Sequence, residues 1–409
     1  MKPSDFPRDL RFRTPGQAFI ENGVAHLRSY TDVQRAMMDD KENEFSQDRS
    51  FWAPKDQRVH LVFHFMWSTG RKKADGTPGR HDMLRSIIEP WFRLKAVKTM
   101  ESKVQENTRA LIRAIIEKGT GEFNLATELA YRLSIRTICS LVGLPMEREE
   151  WMRKHLEAFA QTPSFEQVNR EPQEIEDYFW EVILDREQHP QDELLDVLIV
   201  AWKEKKITDL ELLGYIWGSF SAGTDSTGVN ITNFFCLLAE FGLLDESRAR
   251  LDDADWFHKA GEEVLRFCTS FAAAPSLAIK DVVLDSGLTI PAMTPINLWL
   301  SAANRDEMIN GGNTNASHPD VFDISRSPNH HLTFGSGIHY CIGAQLARLE
   351  MRIALQTALR YLPDLEFDDT KPFDRYAGLA DGVRQAFFSF NQRKAEQLVD
   401  QLEEGVTSL

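Results

Sequence analysis

The chain has 409 residues, 42% of them hydrophobic and 27% charged, with a formal charge of −15. That balance describes an ordinary soluble globular protein, long for a single hydrophobic core, and it argues against a nucleic-acid binder because no basic run reverses the acidic charge. Nowhere do about 18 apolar residues follow one another, so no membrane span is expected.

The start, Met1 to Asp9, is polar and proline-broken, with no apolar export segment, which predicts a cytoplasmic protein. Cys139, Cys236, Cys268 and Cys341 are far apart and form no C-x-x-C pair. This speaks against a disulfide framework and a zinc ribbon. The first three lie in apolar helical patterns and read as inert core residues.

Residues 16–30 read as two short strands around an Asn22-Gly23 turn, followed by a helix from Asp32 to about Asp39 capped by Thr31. Residues 40–80 have no sustained period. They hold Phe51-Trp52, the run Val62 to Trp67 that includes Phe65, and a polar loop, Lys72 to Gly79. Such a long irregular stretch is often functional, and the alternative is an aromatic strand filling core. From His81 to about Leu94 the pattern is helical, and His81 and Arg85 share one face at i and i+4, where they can grip a carboxylate. Amphipathic helices are predicted over 97–118, 123–143 and 146–160, then a loop over 161–173, then helices over 174–188 and 191–204. There is no internal repeat.

Thr208-Asp209-Leu210-Glu211 is a capping box and opens a helix that runs without proline to Gly242. Its ~34 residues would span roughly 50 Å, and its middle, Ile216 to Leu238, is apolar on most sides and should be buried. Inside that span lies Ser221-Ala222-Gly223-Thr224-Asp225-Ser226-Thr227-Gly228. Glycines and a carboxylate are costly in a buried helix, and such violations tend to fall at functional sites. Small residues such as Ala222 would let a ligand approach the backbone, and Asp225 with Ser226 or Thr227 would offer a proton path into a dry pocket. The alternative is a helix kink packed against a neighbour.

A helix over 256–268 places Glu263 and Arg266 at i and i+3. Residues 269–275 should be extended and face a pocket, with Phe271 and Ala273 among its lining. Strands follow at 277–290 and 295–300, then a Gly/Asn-rich loop over 310–317 that looks like a solvent-exposed insertion. Phe334-Gly335-Ser336-Gly337-Ile338-His339-Tyr340-Cys341-Ile342-Gly343 forms a side-chain-poor turn running into a helix that reaches about Tyr361. A cysteine just before a helix N-terminus meets backbone N–H groups that favour the thiolate, which is a metal ligand. Residues 372–390 contain a turn, Tyr376 to Gly382, whose tip, Leu379, would reach the pocket, and then a closing strand. A polar helix follows from Arg393.

The pattern F-G-x-G-x-H-x-C-x-G, met at Phe334, Gly335, Gly337, His339, Cys341 and Gly343, resembles the haem-thiolate loop of the cytochromes P450. Four further segments match that family in order: His81 with Arg85, the Ala222 to Ser226 oxygen-activation segment, Glu263-x-x-Arg266 with Arg326, and Asn304-Arg305-Asp306. The resemblance implies a mainly α fold with a minor β region, as one domain over 1–409 whose β-rich parts lie at about 16–30, 277–300 and 372–390. Haem b (iron protoporphyrin IX) would sit between the long helix and the cysteine loop. It implies Cys341 as the iron ligand, and His81, Arg85, Ala222, Phe334, His339 and Gly343 as cofactor contacts. Asp225 with Ser226 or Thr227 would relay protons, and Glu263, Arg266 and Arg326 would maintain the fold.

Three departures stand out. Ser226 occupies a position that is usually threonine, Ser276 stands where an arginine commonly binds a haem propionate, which throws weight onto His339, and the leader looks short. The implied activity is oxidation of a small organic substrate by activated dioxygen, as a monomer. Electrons would come from a ferredoxin or flavodoxin with its reductase, docking on a basic patch of Arg348, Arg352, Arg93, Lys95 and Lys98. Oxidative coupling, ring closure or a peroxide-driven reaction is the alternative chemistry, and a non-catalytic haem carrier or sensor the alternative class.

Overall fold

Apolar alternation around Asn22-Gly23 produces the first hairpin. β1 (Phe19–Glu21) pairs antiparallel with β2 (Val24–Leu27), and Asn22 and Gly23 take φ of 51° and 79°, the left-handed pair a tight hairpin needs. The structure, a computed structural model, describes residues 15–38, 44–47, 79–160, 173–310, 318–377 and 381–399. The aromatic run with Phe65, the loop over 311–317 and the turn tip at Leu379 lie outside the described residues.

Helix α1 (Tyr30–Met38) begins earlier than the sequence predicts. Ser29, not Thr31, caps it: Ser29 Oγ accepts from Asp32 N at 3.2 Å, while Tyr30 N is drawn in by Asp306 Oδ2 at 2.9 Å. After the two-residue β3 (Phe45–Ser46) come α2 (Arg80–Phe92), α3 (Leu94–Thr99) and α4 (Glu101–Glu117). A short strand, β4 (Glu122–Asn124), and a π turn (Ala126–Ala130) precede α5 (Tyr131–Val142) and α6 (Glu149–Ala160). The strand lies where the sequence predicts only helix. Its three residues are too few to show a period, and its register comes from pairing with distant Phe387 to Ser389.

Next are α7 (Gln173–Gln188) and α8 (Leu194–Lys203), then the 32-residue α9 (Asp209–Glu240), with both halves of the capping box formed between Thr208 and Glu211. Helices α10 (Leu244–Ala249) and α11 (Ala254–Phe267) lead to β5 (Ala274–Ala278), β6 (Val282–Val283), β7 (Thr289–Ile290) and β8 (Pro295–Leu298). Helix α12 (Ala344–Tyr361) follows the cysteine loop, and β9 (Glu366–Phe367), β10 (Asp374–Ala377), β11 (Asp381–Gln385) and β12 (Phe387–Ser389) close the fold.

The architecture is mainly helical with a minor β part. One sheet has the order β1-β2-β8-β5-β3, with β2 and β8 parallel and the other pairs antiparallel. Its inward side chains form a small apolar core with α1, including Leu27, Val33, Phe45, Ile296 and Leu298. The larger core surrounds α9, which is buried from 212 to 221 and again from 227 to 238. At 1.5 Å per residue this helix spans about 48 Å, so it can border every other helical layer.

Two glycines fix its closest neighbour. A Cβ at Gly223 would lie 2.8 Å from Ile138 Cγ1, and one at Gly228 would lie 2.6 Å from Tyr131 Cδ1, so α5 packs directly against the α9 backbone. The sequence reading had small residues admitting a ligand here; at Gly223 and Gly228 they admit a helix.

Candidate active site

The cysteine loop is held by its own backbone. Cys341 N donates to Phe334 O at 2.8 Å, Gly335 N to Leu332 O at 2.8 Å and Tyr340 N to Gly337 O at 3.1 Å. Gly337, at φ 68°, is irreplaceable for two reasons: the left-handed backbone, and Met37 O only 2.5 Å from where a Cβ would stand. From outside, Asn304 Oδ1 accepts from Leu332 N at 2.7 Å, and Asn304 Nδ2 donates to Thr333 Oγ1 at 3.0 Å. Arg85 reaches in from α2, donating to Ile338 O at 3.1 Å and Tyr340 O at 3.0 Å. It therefore braces the loop as well as standing beside it.

Cys341 lies three residues ahead of α12, with Gly343 as the helix cap. It is the exposed cysteine of the four; Cys139, Cys236 and Cys268 are buried, as read from the sequence, and burial raises the thiols of Cys139 and Cys236 far above their ordinary range. The protein packed around Cys341 also pushes its thiol up, opposed by the N–H groups of Gly343 and Ala344 and the charges of Arg85 and Arg348. The helix terminus thus does not by itself deliver the thiolate. A bound metal ion would, because coordination deprotonates a thiol outright.

His81 and His339 come together beside this loop, their rings edge to face at 4.7 Å between centroids, and His81 Nδ1 lies 3.2 Å from Asp82 Oδ1. With Arg85 they gather three nitrogen-bearing side chains near one edge of the cysteine turn. Ser276 is 1% exposed within β5 and donates to Ser46 O at 3.1 Å, so it serves the sheet. Phe334 is buried beneath the Arg348 guanidinium, 4.5 Å from the ring centroid.

In the middle of α9, Ala222 is exposed and Gly223 and Ser226 half-exposed, although the helix is buried on both flanks. Exposure midway along a buried helix means that this stretch borders an internal space. Ser226 Oγ donates to Ala222 O at 2.7 Å, the one-turn back-bond that loosens a helix. Asp225 and Thr227 are buried, at 7% and 4%. Successive residues project about 100° apart, and Asp225 lines a separate cavity of about 50 Å³ with Tyr131, Arg153, Glu157 and Arg384. That volume has room for water. The acid and the Ser226 hydroxyl therefore stand on different sides of one helical turn. Thr224 Oγ1 is buried with no hydrogen-bond partner among the described groups.

The predicted structural trio is assembled. Arg266 donates to both oxygens of Glu263, at 2.8 and 2.7 Å, and Arg326 Nε lies 3.3 Å from Glu263 Oε2, all three side chains being 0% exposed. Phe271 packs against the small β core and Ala273 is half-exposed beside it. The expected basic patch is different from the sequence reading. Arg348 forms a bidentate pair with Glu262 and Arg352 pairs with Glu101 at 2.8 Å, so both charges are taken up inside the protein's own surface. Lys95 and Lys98 remain exposed, and Arg93 makes only a 3.8 Å contact with Glu89.

Sequence reasoning missed Glu262 and His331 behind the loop, and Arg153 and Arg384 beside Asp225. Single charged residues carry no period, so only the folded geometry reveals their partners. Among the described residues no cluster of three or more His, Cys, Asp or Glu side chains is arranged for a metal ion, and no helix is long and apolar enough to cross a membrane. The exposed Cys341 sulfur, the adjacent amides and the His81, Arg85 and His339 side chains fit a metal-bearing cofactor that takes one thiolate and carries acidic groups.

Comparisons with known proteins agree. The family model described as Cytochrome P450 matches residues 258–380. The chain is 32% identical over 374 residues to cytochrome P450 monooxygenase PikC of Streptomyces venezuelae, covering 89% of this chain and 85% of that one. Its fold is similar to the crystal structure of CYP109E1 from Bacillus megaterium in complex with testosterone, with a TM-score of 0.81, 24% identity and coverage of 95% and 98%. It is also similar to CxnD, described as the cytochrome P450 enzyme for C–S bond formation in chuangxinmycin biosynthesis, with a TM-score of 0.73, 26% identity and coverage of 89% and 88%.

Proposed function

Because the chain belongs to the cytochrome P450 family, and is thus a haem-thiolate oxidoreductase, we propose that it inserts oxygen into a small, largely apolar organic molecule of specialised metabolism, with Cys341 as the iron ligand. The observation that carries this reading is the placement of Cys341: an exposed sulfur on a loop locked by Arg85, Asn304 and its own backbone. Haem b, when bound with a thiolate ligand, supplies dioxygen activation and favours O–O cleavage.

The chain's residues do the rest. His81, Arg85 and His339 hold the acidic edge of the cofactor, with Ser276 giving no charge there. Ala222, exposed midway along the buried helix, keeps the α9 wall low so that substrate can lie close. Asp225 lines the water-sized cavity, where its carboxyl can take up and release a proton. Ser226 Oγ, whose own proton is bound to Ala222 O, accepts a hydrogen bond from water on the substrate side. Electrons come from a ferredoxin or flavodoxin with its reductase, for which Lys95 and Lys98 offer exposed positive charge near the α12 side.

Reduction under carbon monoxide should give the absorption band of thiolate-ligated haem, and Cys341→Ala should remove it. A parent protein without that band would sink the reading. The Ser226 back-bond favours a second reading, oxidative coupling or ring closure, since a committed hydroxyl is a poorer proton donor. Product mass separates the two: a gain of one oxygen for insertion, a loss of two hydrogens for coupling.

A further inference from the structure

Behind the cysteine loop lies a charged assembly that neither the family motifs nor the proposed proton path uses. Glu262 on α11 faces Arg348 on α12 as a fork, Nε to Oε1 at 2.7 Å and Nη2 to Oε2 at 2.8 Å. His331 Nε2 lies 3.2 Å from Glu262 Oε2, while His331 Nδ1 is buried with no hydrogen-bond partner among the described groups. Nε2 is thus the ring nitrogen that meets Glu262, while Nδ1 faces no acceptor among those groups. Burial alone would push the Glu262 carboxyl up, but the hydrogen bonds from Arg348 and His331 and the Arg348 charge bring it to about 2. The carboxylate is therefore charged at any working pH.

This assembly is coupled to the iron ligand by two routes. Arg348 lies over the Phe334 ring, and Phe334 O is the acceptor that holds Cys341 N at 2.8 Å. Arg348 also donates to the hydroxyl of Tyr340, the residue next to Cys341, at 3.5 Å. Glu262 pairs with the Arg348 charge as a fork.

We propose that Glu262 is a positioning residue that acts through Arg348: it sets how much positive charge the Cys341 sulfur feels, and thereby the potential at which a bound haem takes up one electron. The inference rests on the haem-thiolate reading above. The step is the one-electron reduction of ferric to ferrous haem by an added reductant such as dithionite, with no bond made or broken in the protein.

The test is spectroelectrochemical titration of the haem-loaded protein at pH 8, above the ordinary histidine range. Glu262→Gln leaves the Arg348 charge uncompensated and should raise the potential. Arg348→Gln leaves the Glu262 charge uncompensated and should lower it. Each shift should change the ferrous-to-ferric ratio at fixed potential by about threefold or more, which is about 28 mV for one electron. Glu262→Gln/Arg348→Gln should return close to the parent, and Arg348→Lys, which keeps the charge but loses the fork, should stay near it. Shifts of the same sign in both single variants, or no shift in either, would overturn the proposal, because a loosened loop moves both alike. Absence of the thiolate-ligated carbon monoxide band in the parent would overturn the haem-thiolate reading and this inference with it.

Discussion

Glu262 and Glu263 are neighbours on α11, and each carboxylate meets an arginine fork, yet they serve different parts of the molecule. Glu263 is 0% exposed and saturated: besides Arg266 and Arg326 it accepts from Asp323 N at 2.8 Å and Asn329 Nδ2 at 3.0 Å. Its arginines in turn donate to backbone carbonyls of Asn304, Pro319, Asn310 and Val321, pinning the segment that precedes the cysteine loop. Glu262 is 16% exposed and has two partners, His331 and Arg348, the second of which lies over Phe334 of the loop. A sealed, fully bonded charge holds chain segments together; a charge with fewer partners beside the ligand adjusts the field there.

The largest effect expected from breaking this contrast is at Glu263. Glu263→Ala leaves two buried guanidiniums without their shared carboxylate and should cost about 3–5 kcal/mol, enough to leave little folded, haem-binding protein in chemical denaturation and haem-retention assays. Glu262 should show itself through acid instead. Its folded pKa, about 2, is below the ordinary 4.5, so its contribution is present above pH 4.5 and is lost as pH falls toward 2. That difference corresponds to about 3 kcal/mol, and Glu262→Gln should flatten the denaturation midpoint across this window.

A third carboxylate sharpens the comparison by having no arginine at all. Glu350 on α12 is 2% exposed, its Oε2 has no hydrogen-bond partner among the described groups, and burial holds its carboxyl well above the usual range. A raised folded pKa means its stability is full below the ordinary carboxylate range and declines as pH rises toward the folded value. Glu350→Gln should therefore stabilise the protein at pH 8 by on the order of 1 kcal/mol, with a smaller gain at pH 5, as melting at the two pH values will show. The smallest effect belongs to the part-exposed Arg352 and Glu101 pair. Arg352→Ala should change stability by less than about 1 kcal/mol and leave the haem potential unmoved.

Long-period features were legible in the sequence. The capping box at Thr208, the uninterrupted apolar pattern of α9 and the Asn22-Gly23 hairpin appear as read, because each rests on residues whose local chemistry allows few alternatives; the Glu263, Arg266 and Arg326 trio was legible only through the family resemblance, since nothing local ties Glu263 to Arg326. Shorter or longer-range features were not. The β4 strand owes its state to a partner over 260 residues away, and the start of α1 shifted because Asp306, far downstream, holds Tyr30 N. Arg348 and Arg352 looked like a docking patch because their carboxylates, Glu262 and Glu101, come from other helices. The thiol of Cys341 needed the structure too, since burial and helix amides pull it in opposite directions and only packing says which is stronger.

The contact of Ile138 and Tyr131 with the bare backbone at Gly223 and Gly228 has a consequence for substrate range. It welds α9 to α5 along the stretch that carries Ala222, Asp225 and Ser226, so this wall cannot recede to admit a larger molecule without pulling α5 after it. On the pocket lining proposed from the sequence, adaptation to bulkier or smaller compounds falls to the Phe271 to Ala274 segment, which lies outside any helix. Laboratory redesign of the pocket should begin there and leave the two glycines alone.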